Sequence, residues 1–348
     1  MRKVKRIFII ADFKDESERS IRLQSRMWVK GLIRAGHDVQ RFSYRNILTQ
    51  FNPFSGKYFR RFMPKFVKRY TDELLIAQIK TYYPDIVFIF GMKYLEPKTI
   101  EAIRTAAPKG IIAGRDEDPF PEKNPDRLAI ARLCDIVVNT SAGAFLETYK
   151  NAGVARCAFL PNICDPDIQH RYETGPQWKA DIIFTGKAKH ARLGDINDQR
   201  YSLVKKLTEK PNTRVYGSFD TARVEGLDYF HALSGAKIAL SINIINNVPM
   251  YHSDRLINAL SCGIFVLAKR VPDTELLHQN DKHLRYFDTE EEFFEIADWY
   301  LDHKDEREKI ALAGMKQAHQ EYNCTVMAGH FMDLIEKGGC SAPWNRVI

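Results

Sequence analysis

The stretch Tyr251-His252-Ser253-Asp254-Arg255 stands just ahead of a run of small and apolar residues that ends at Cys262-Gly263. Ser253 suits a helix N-cap, Asp254 the first turn and Gly263 the stop. The free amides at the start of such a helix, its dipole and the Arg255 guanidinium would together hold an anion such as a diphosphate. Thr185-Gly186-Lys187 is a second candidate, following the apolar run at 182–184. Gly186 lets a ligand approach the backbone closely and Lys187 offers a point charge. His190, Arg192 and Arg200 come in the loop beyond. A third candidate, Val215-Tyr216-Gly217-Ser218, sets an aromatic ring beside a glycine, where a nucleobase would fit. In the first half, Ala113-Gly114-Arg115-Asp116-Glu117-Asp118-Pro119 offers carboxylates after an apolar run; Asp116 and Asp118 there could position or deprotonate an acceptor hydroxyl.

These residues need a scaffold that gathers them, and the hydrophobic pattern predicts one. Val4–Ala11 is a continuous apolar strand, and Ile21, Met27, Trp28 and Leu32 share one face of a helix over Ser20–Ala35. Strands are expected at His37–Phe42, Asp85–Phe90, Lys109–Ala113, Ile136–Asn139 and Ala158–Leu160. Helices fall between them at Thr71–Tyr82, Pro97–Ala107, Leu128–Leu133 and Phe145–Asn151. A proline-rich stretch, Pro161–Pro176, reads as a linker. Alternation then restarts, with strands at Ala180–Thr185, Thr213–Tyr216, Ile238–Asn243 and Ile264–Ala268. The helices of this half are Arg200–Thr208, Leu227–Ser234, Ser253–Cys262, Thr289–His303 and Asp305–Glu321. Asn243 closes its strand at the same edge as Gly186 and Gly217. Strand–helix alternation of this kind predicts parallel sheets covered on both faces, with ligands beyond the carboxyl ends of the strands. The expected architecture is two tandem Rossmann-like, doubly wound α/β domains: residues 1–165, a linker at 166–177, residues 178–325, and a C-terminal helix and tail at 326–348 that returns to the first domain. The cleft between two such halves is the default binding site.

Composition narrows the function. With 348 residues, 45% hydrophobic and 28% charged, the chain is long enough for two ordinary soluble domains. No apolar run reaches the ~18 residues that a membrane-spanning helix needs. The short run after the basic start is interrupted by Asp12, so it reads as a strand and not a signal peptide. The six cysteines lack CxxC pairing, which argues against a zinc site and for free thiols in a reducing cytoplasm. Charge is uneven: residues 1–70 hold 18 Lys and Arg against 5 Asp and Glu, and the whole chain sums to +8. The aromatic, basic segment 51–70 would suit peripheral contact with an anionic membrane. No G-x-G-x-x-G follows a strand, which argues against a dinucleotide oxidoreductase, and no nucleic-acid recognition motif is present.

Over roughly residues 235–320 the sequence resembles the CgeB/YkvP-like spore-protein glycosyltransferase group and, more distantly, the large retaining GT-B glycosyltransferase family. The residues that carry this are Arg255-Leu-Ile-Asn258-Ala259-Leu-Ser-Cys262-Gly263-Ile-Phe-Val, then Phe287-Asp288 before an acidic helix, then Tyr300-Leu-Asp-His303 with Arg307, Ile310-Ala311 and Gly314. Gly36-His37-Asp38-Val39 and Leu160-Pro161-Asn162 with Asp165-Pro166 resemble the family's second strand and linker. The resemblance implies a GT-B fold whose second domain holds a nucleotide-diphosphate sugar. Gly186, Lys187 and Arg255 fall where that family meets the diphosphate. Asn258 replaces the family's ribose-binding Glu, and Ala11-Asp12-Phe13-Lys14-Asp15 replaces its glycine-rich first loop.

The expected chemistry is therefore glycosyl transfer to a cell-surface or lipid-linked glycan, retaining and metal-independent, with no cofactor beyond the nucleotide-sugar co-substrate. Donor contacts are expected from Gly186, Lys187, Arg192, Tyr216, Gly217, Asn243, Tyr251, His252, Ser253, Arg255 and Asn258. Asp116 and Asp118 are the expected catalytic carboxylates. No nucleic-acid partner is expected. The rival reading is a catalytically inactive GT-B scaffold that binds a nucleotide sugar, and Asn258 is the residue that favours it.

Overall fold

The computed structural model describes residues 3–13, 23–51, 65–92, 95–117, 123–189 and 198–348. The chain divides into two units, Met1–Leu160 with Cys324–Ile348, and Pro161–Asn323.

The first unit is built on a six-stranded sheet. Its strands are β1 (Arg6–Ala11), β2 (Asp38–Ser43), β3 (Ile86–Phe90), β4 (Ile111–Asp116), β5 (Ile136–Asn139) and β6 (Cys157–Phe159), in the order β2-β1-β3-β4-β5-β6. Every pair is parallel. The inner strands are apolar along their whole length because helices cover both faces. Those helices are α1 (Leu23–Arg34), α2 (Tyr44–Phe51), α3 (Lys65–Tyr82), α4 (Pro97–Ala106), α5 (Pro125–Ala131) and α6 (Ala144–Asn151). A C-terminal helix, α12 (Cys324–Lys337), packs on α1 in the same unit. The backbones approach so closely there that a Cβ on Gly31 would lie 2.1 Å from the Cys324 carbonyl oxygen. Trp28 fills the seam, its ring 5.6 Å from Phe88 and 5.7 Å from Phe331. The tail then runs antiparallel along β6, with Cys157 and Ile348 exchanging backbone hydrogen bonds of 2.9 Å, and so covers a sheet edge that would otherwise be open.

The second unit repeats the plan with five parallel strands: β7 (Ala180–Thr185), β8 (Thr213–Tyr216), β9 (Ala236–Ser241), β10 (Phe265–Lys269) and β11 (Arg285–Phe287), ordered β11-β10-β9-β7-β8. Its helices are α7 (Asp198–Glu209), α8 (Leu227–Gly235), α9 (Asp254–Ser261), α10 (Glu290–Asp302) and α11 (Lys304–Glu321). Phe184, Leu203, Leu207, Leu240, Phe265, Leu267, Phe287 and Phe293 form its core. Parallel strands bring all carboxyl ends to one edge, so the turns after β7, β8 and β9 and the start of α9 lie together.

Three differences from the sequence expectations matter. β4 extends through Arg115 and Asp116, residues expected beyond a strand that ends at Ala113. β9 ends at Ser241, so Asn243 lies beyond the strand. Inside the basic aromatic segment, α2 ends at Phe51 and α3 begins at Lys65, earlier than the helix expected from Thr71; residues 52–64 lie outside the described residues. No helix among the described residues is long and apolar enough to cross a membrane.

Candidate functional site

β7 delivers the chain to Gly186, whose φ of +128° is strained for any residue with a side chain. A Cβ there would lie 2.6 Å from Arg255 Nη2 and 3.6 Å from Arg200 Nη2. The glycine thus leaves room for two guanidinium groups above one turn. Arg255 is held by its own hydrogen bonds: Nε donates to the Thr185 carbonyl at 2.5 Å, and Nη1 to the Ile242 carbonyl at 3.1 Å and to Ser253 Oγ at 3.2 Å. Arg200, in the first turn of α7, donates to the Lys187 carbonyl. Both guanidiniums lie over the ring of Phe184, at 4.8 Å for Arg255 and 5.4 Å for Arg200.

Two like charges held this close raise each other's energy. Burial, and then the neighbouring Arg255 charge, push the Arg200 pKa down to about 9. Burial likewise lowers that of Arg255. No carboxylate is hydrogen-bonded to Arg255 among the described residues. A cluster of this kind is favourable to an anion, which would supply the countercharge at low local dielectric.

The start of α9 reinforces it. Ser253 is the N-cap, yet its hydroxyl accepts from Arg255 and makes no side-chain cap on the first turn, where the Leu256 amide donates to the Ser253 carbonyl at 3.1 Å; the positive end of the helix dipole stands beside Arg255. The turn is fixed by Asn243, which is buried. Its Nδ2 donates to the Tyr251 carbonyl at 2.9 Å, and its Oδ1 accepts from the Ser253 amide at 3.0 Å. Asn243 therefore positions the helix start from within.

The β7 and β8 turns are tied together. The Gly186 amide donates to the Tyr216 carbonyl at 2.8 Å. Ser218 Oγ donates to the Gly186 carbonyl at 2.7 Å and accepts from the Ala188 amide at 2.6 Å. Gly217, at φ +84°, comes close enough that a Cβ would lie 3.4 Å from the Gly186 carbonyl oxygen. Gly186, Gly217, Arg255 and the α9 N-terminus are thus one constellation. Lys187 is exposed at its rim and Tyr216 half-buried.

Other expected contacts have different surroundings. His252 is buried, with Nε2 2.6 Å from Thr274 Oγ1, in a network that continues to Tyr286 and the His278 carbonyl. Burial pushes its pKa down to about 3, so it is a neutral core group. Tyr251 is also buried. Asn258 is turned toward the linker: its Oδ1 accepts from Gln169 Nε2 at 2.5 Å, and its Nδ2 donates to the Tyr229 hydroxyl at 3.4 Å. Arg192 and Asp118 lie outside the described residues.

Asp116 needs a correction. As the last residue of β4 it is fully buried, accepting from Arg127 Nη1 at 2.8 Å and from the Tyr149 hydroxyl. A carboxylate so enclosed neutralises Arg127; it does not meet an acceptor. The apolar pattern ends this strand at Ala113, whereas β4 continues to Asp116 and buries its carboxylate.

Two contributors escaped the expected set. Arg200 was visible only as one cation in a loop; the α7 register brings it over Gly186. Tyr229 lies beside Asn258, where burial lifts its hydroxyl to about 12 and keeps it a hydrogen-bond donor. Nothing in its local sequence marks it.

Residues 199–333 match the family model described as glycosyl transferase-like. No curated protein sequence matches the chain. Among solved structures, HepE from Anabaena, in complex with UDP and glucose, aligns with a TM-score of 0.59 at 11% identity, over 95% of this chain and 99% of that one. Sucrose-phosphate synthase from Thermosynechococcus elongatus aligns with a TM-score of 0.59 at 12% identity, over 96% and 98%. A glycosyltransferase from Rickettsia africae aligns with a TM-score of 0.57 at 12% identity, over 97% and 99%. The fold is GT-B.

Proposed function

We propose that this chain is a glycosyltransferase that binds a nucleoside-diphosphate sugar at the carboxyl edge of the second unit's sheet. The observation that carries the reading is the pair of guanidiniums of Arg200 and Arg255 above Gly186, beside the N-terminus of α9. As the glycosidic bond to the diphosphate breaks, negative charge grows on the leaving oxygen. Arg255, Arg200, Lys187 and the α9 amides would stabilise that charge without reorganising, which lowers the barrier. The turn around Tyr216 and Gly217 would take the base. The match of residues 199–333 to a glycosyl transferase-like family supports this, as does the likeness to HepE, which binds UDP and glucose. Transfer with retention, needing no metal ion, is part of the same proposal.

For the acceptor we propose a cell-surface or lipid-linked glycan. On α2 and α3, Phe51 and Tyr70 are exposed with rings 5.1 Å apart, and Phe66 is exposed beside Lys65 and Arg69. An aromatic and basic face of this sort suits peripheral contact with anionic lipid.

A thermal-shift panel of UDP, GDP, CMP and dTDP sugars tests the donor. A rise of several degrees for one base, abolished in Arg255→Ala, is expected. No shift with any of them would sink the reading. The engagement of Asn258 with Gln169 and Tyr229 favours a second reading, a donor-binding scaffold without turnover. Release of free nucleoside diphosphate by the purified protein would exclude it.

A further inference from the structure

We infer that the second unit carries an additional anion site, for a small phosphorylated metabolite, at the amino ends of its strands. The opposite edge of the sheet from Gly186 holds a cavity of about 880 Å³. Ala180 at the start of β7, Ala236 at the start of β9 and Ile264 just before β10 form its floor. It is separate from the arginine pair, because each strand runs its full length between the two.

The charges around it do not cancel. Two of its carboxylates are already paired: Glu308 with Arg171 at 2.6 Å, and Asp181 with Lys237 at 2.7 Å. Lys179, Lys304 and Arg307 also line the cavity, and the only further carboxylate in its wall is Glu173. None of these three cations has a carboxylate partner among the described residues. Arg307 is the most telling. It is 4% exposed, and its Nη1 donates to the Tyr300 and Leu301 carbonyls at the end of α10. Its Nε is buried without a hydrogen bond. A guanidinium enclosed with only carbonyl partners lacks a countercharge and attracts an anion.

Two further features fit the same ligand. Lys304 is the first residue of α11, an 18-residue helix, so the positive end of that dipole stands at the cavity wall. Thr174 Oγ1 is buried with no hydrogen-bond partner, and Ser234 Oγ accepts from the Tyr172 amide. Surplus cations, a helix start and hydroxyls together match a phosphoryl group carried on a small hydroxylated body.

Pyrophosphate is a suitable probe for calorimetric titration, because it also tests the arginine pair. The full-length protein should show two classes of site. Arg255→Ala should remove one of them. Lys179→Ala/Lys304→Ala should weaken the other by roughly tenfold, leaving the first unchanged. Both lysines are exposed, so the double variant should keep its melting temperature. The inference is overturned if Arg255→Ala abolishes all pyrophosphate binding, or if the double variant titrates like the parent. The proposed donor chemistry stands or falls separately, on the nucleotide-sugar panel.

Discussion

Both units put arginines near the carboxyl edge of a parallel sheet, and they treat them in opposite ways. In the first unit, Arg115 is fully buried but pairs with Glu117 at 3.0 Å, and Arg127 pairs with Asp116 at 2.8 Å. In the second, Arg255 is given two carbonyls and a hydroxyl, and its near neighbour is another guanidinium. A buried charge is tolerated only when something compensates it. The first unit compensates internally, so its arginines are part of the structure. The second gives Arg255 no hydrogen-bonded carboxylate among the described residues, and under the proposed function a ligand's phosphates would take that place. The sequence shows arginines in both halves; only the partners distinguish architecture from binding.

The largest effect should come from breaking the internal pair. Asp116→Ala leaves Arg127 buried with its carboxylate gone, and should destabilise the first unit by about 3–5 kcal/mol. Chemical denaturation measures this. Adding Arg127→Met should recover much of the loss, since the stranded charge goes with it. If Asp116→Ala proves neutral, the pair is not the structural element described.

Arg255→Ala should behave in the opposite manner. We expect roughly a hundredfold loss in kcat/KM for the nucleotide-sugar donor, equivalent to about 2.7 kcal/mol of transition-state stabilisation. The melting temperature of the ligand-free protein should change little, because losing Arg255's hydrogen bonds is offset by relief of its repulsion with Arg200. A variant that unfolds would place Arg255 with the structural arginines and erase the contrast.

Acid should separate the units as well. Burial lowers the pKa of His252 to about 3 and those of His278 and His283 to about 4. All three histidines are neutral in the folded second unit and take up protons on unfolding below their ordinary value near 6.5. Because the unfolded state binds more protons, stability falls as pH drops from about 6.5 toward 4. Three such groups give a slope of roughly 4 kcal/mol per pH unit. His278→Gln should reduce the slope by about a third in a series of melting curves.

How much of this was legible follows from what each feature depends on. The strands Ile136–Asn139, Ala180–Thr185 and Thr213–Tyr216 are read at their true bounds, because buried parallel strands are continuous apolar runs closed by turn residues. That Gly186 and Arg255 come together was legible for a similar reason: a glycine after a strand and an arginine in a first helical turn carry local signals. Asp116 and His252 misled, because the sequence shows a titratable side chain without showing its burial or its neighbours. Arg200 and Tyr229 reach the site only through the packing of α7 and α8 on the sheet. That is tertiary information, which no local pattern contains.

The finest test of the contrast is a single methyl group. Gly186→Ala adds a Cβ at a backbone φ of +128° and 2.6 Å from Arg255 Nη2. The backbone strain should cost about 1–3 kcal/mol of stability. The methyl also pushes the guanidinium away from the turn, and donor affinity should fall by roughly tenfold through displacement alone, with every charge retained. In the first unit Gly114, in the middle of β4, serves as the control. A Cβ there meets Met92 Sδ at 2.7 Å, the far end of a flexible side chain, and no charged group. Gly114→Ala should therefore alter stability without changing donor affinity. If the two alanines affect donor binding equally, then the geometry of the guanidinium pair is not what selects the diphosphate, and net positive charge at the sheet edge is enough.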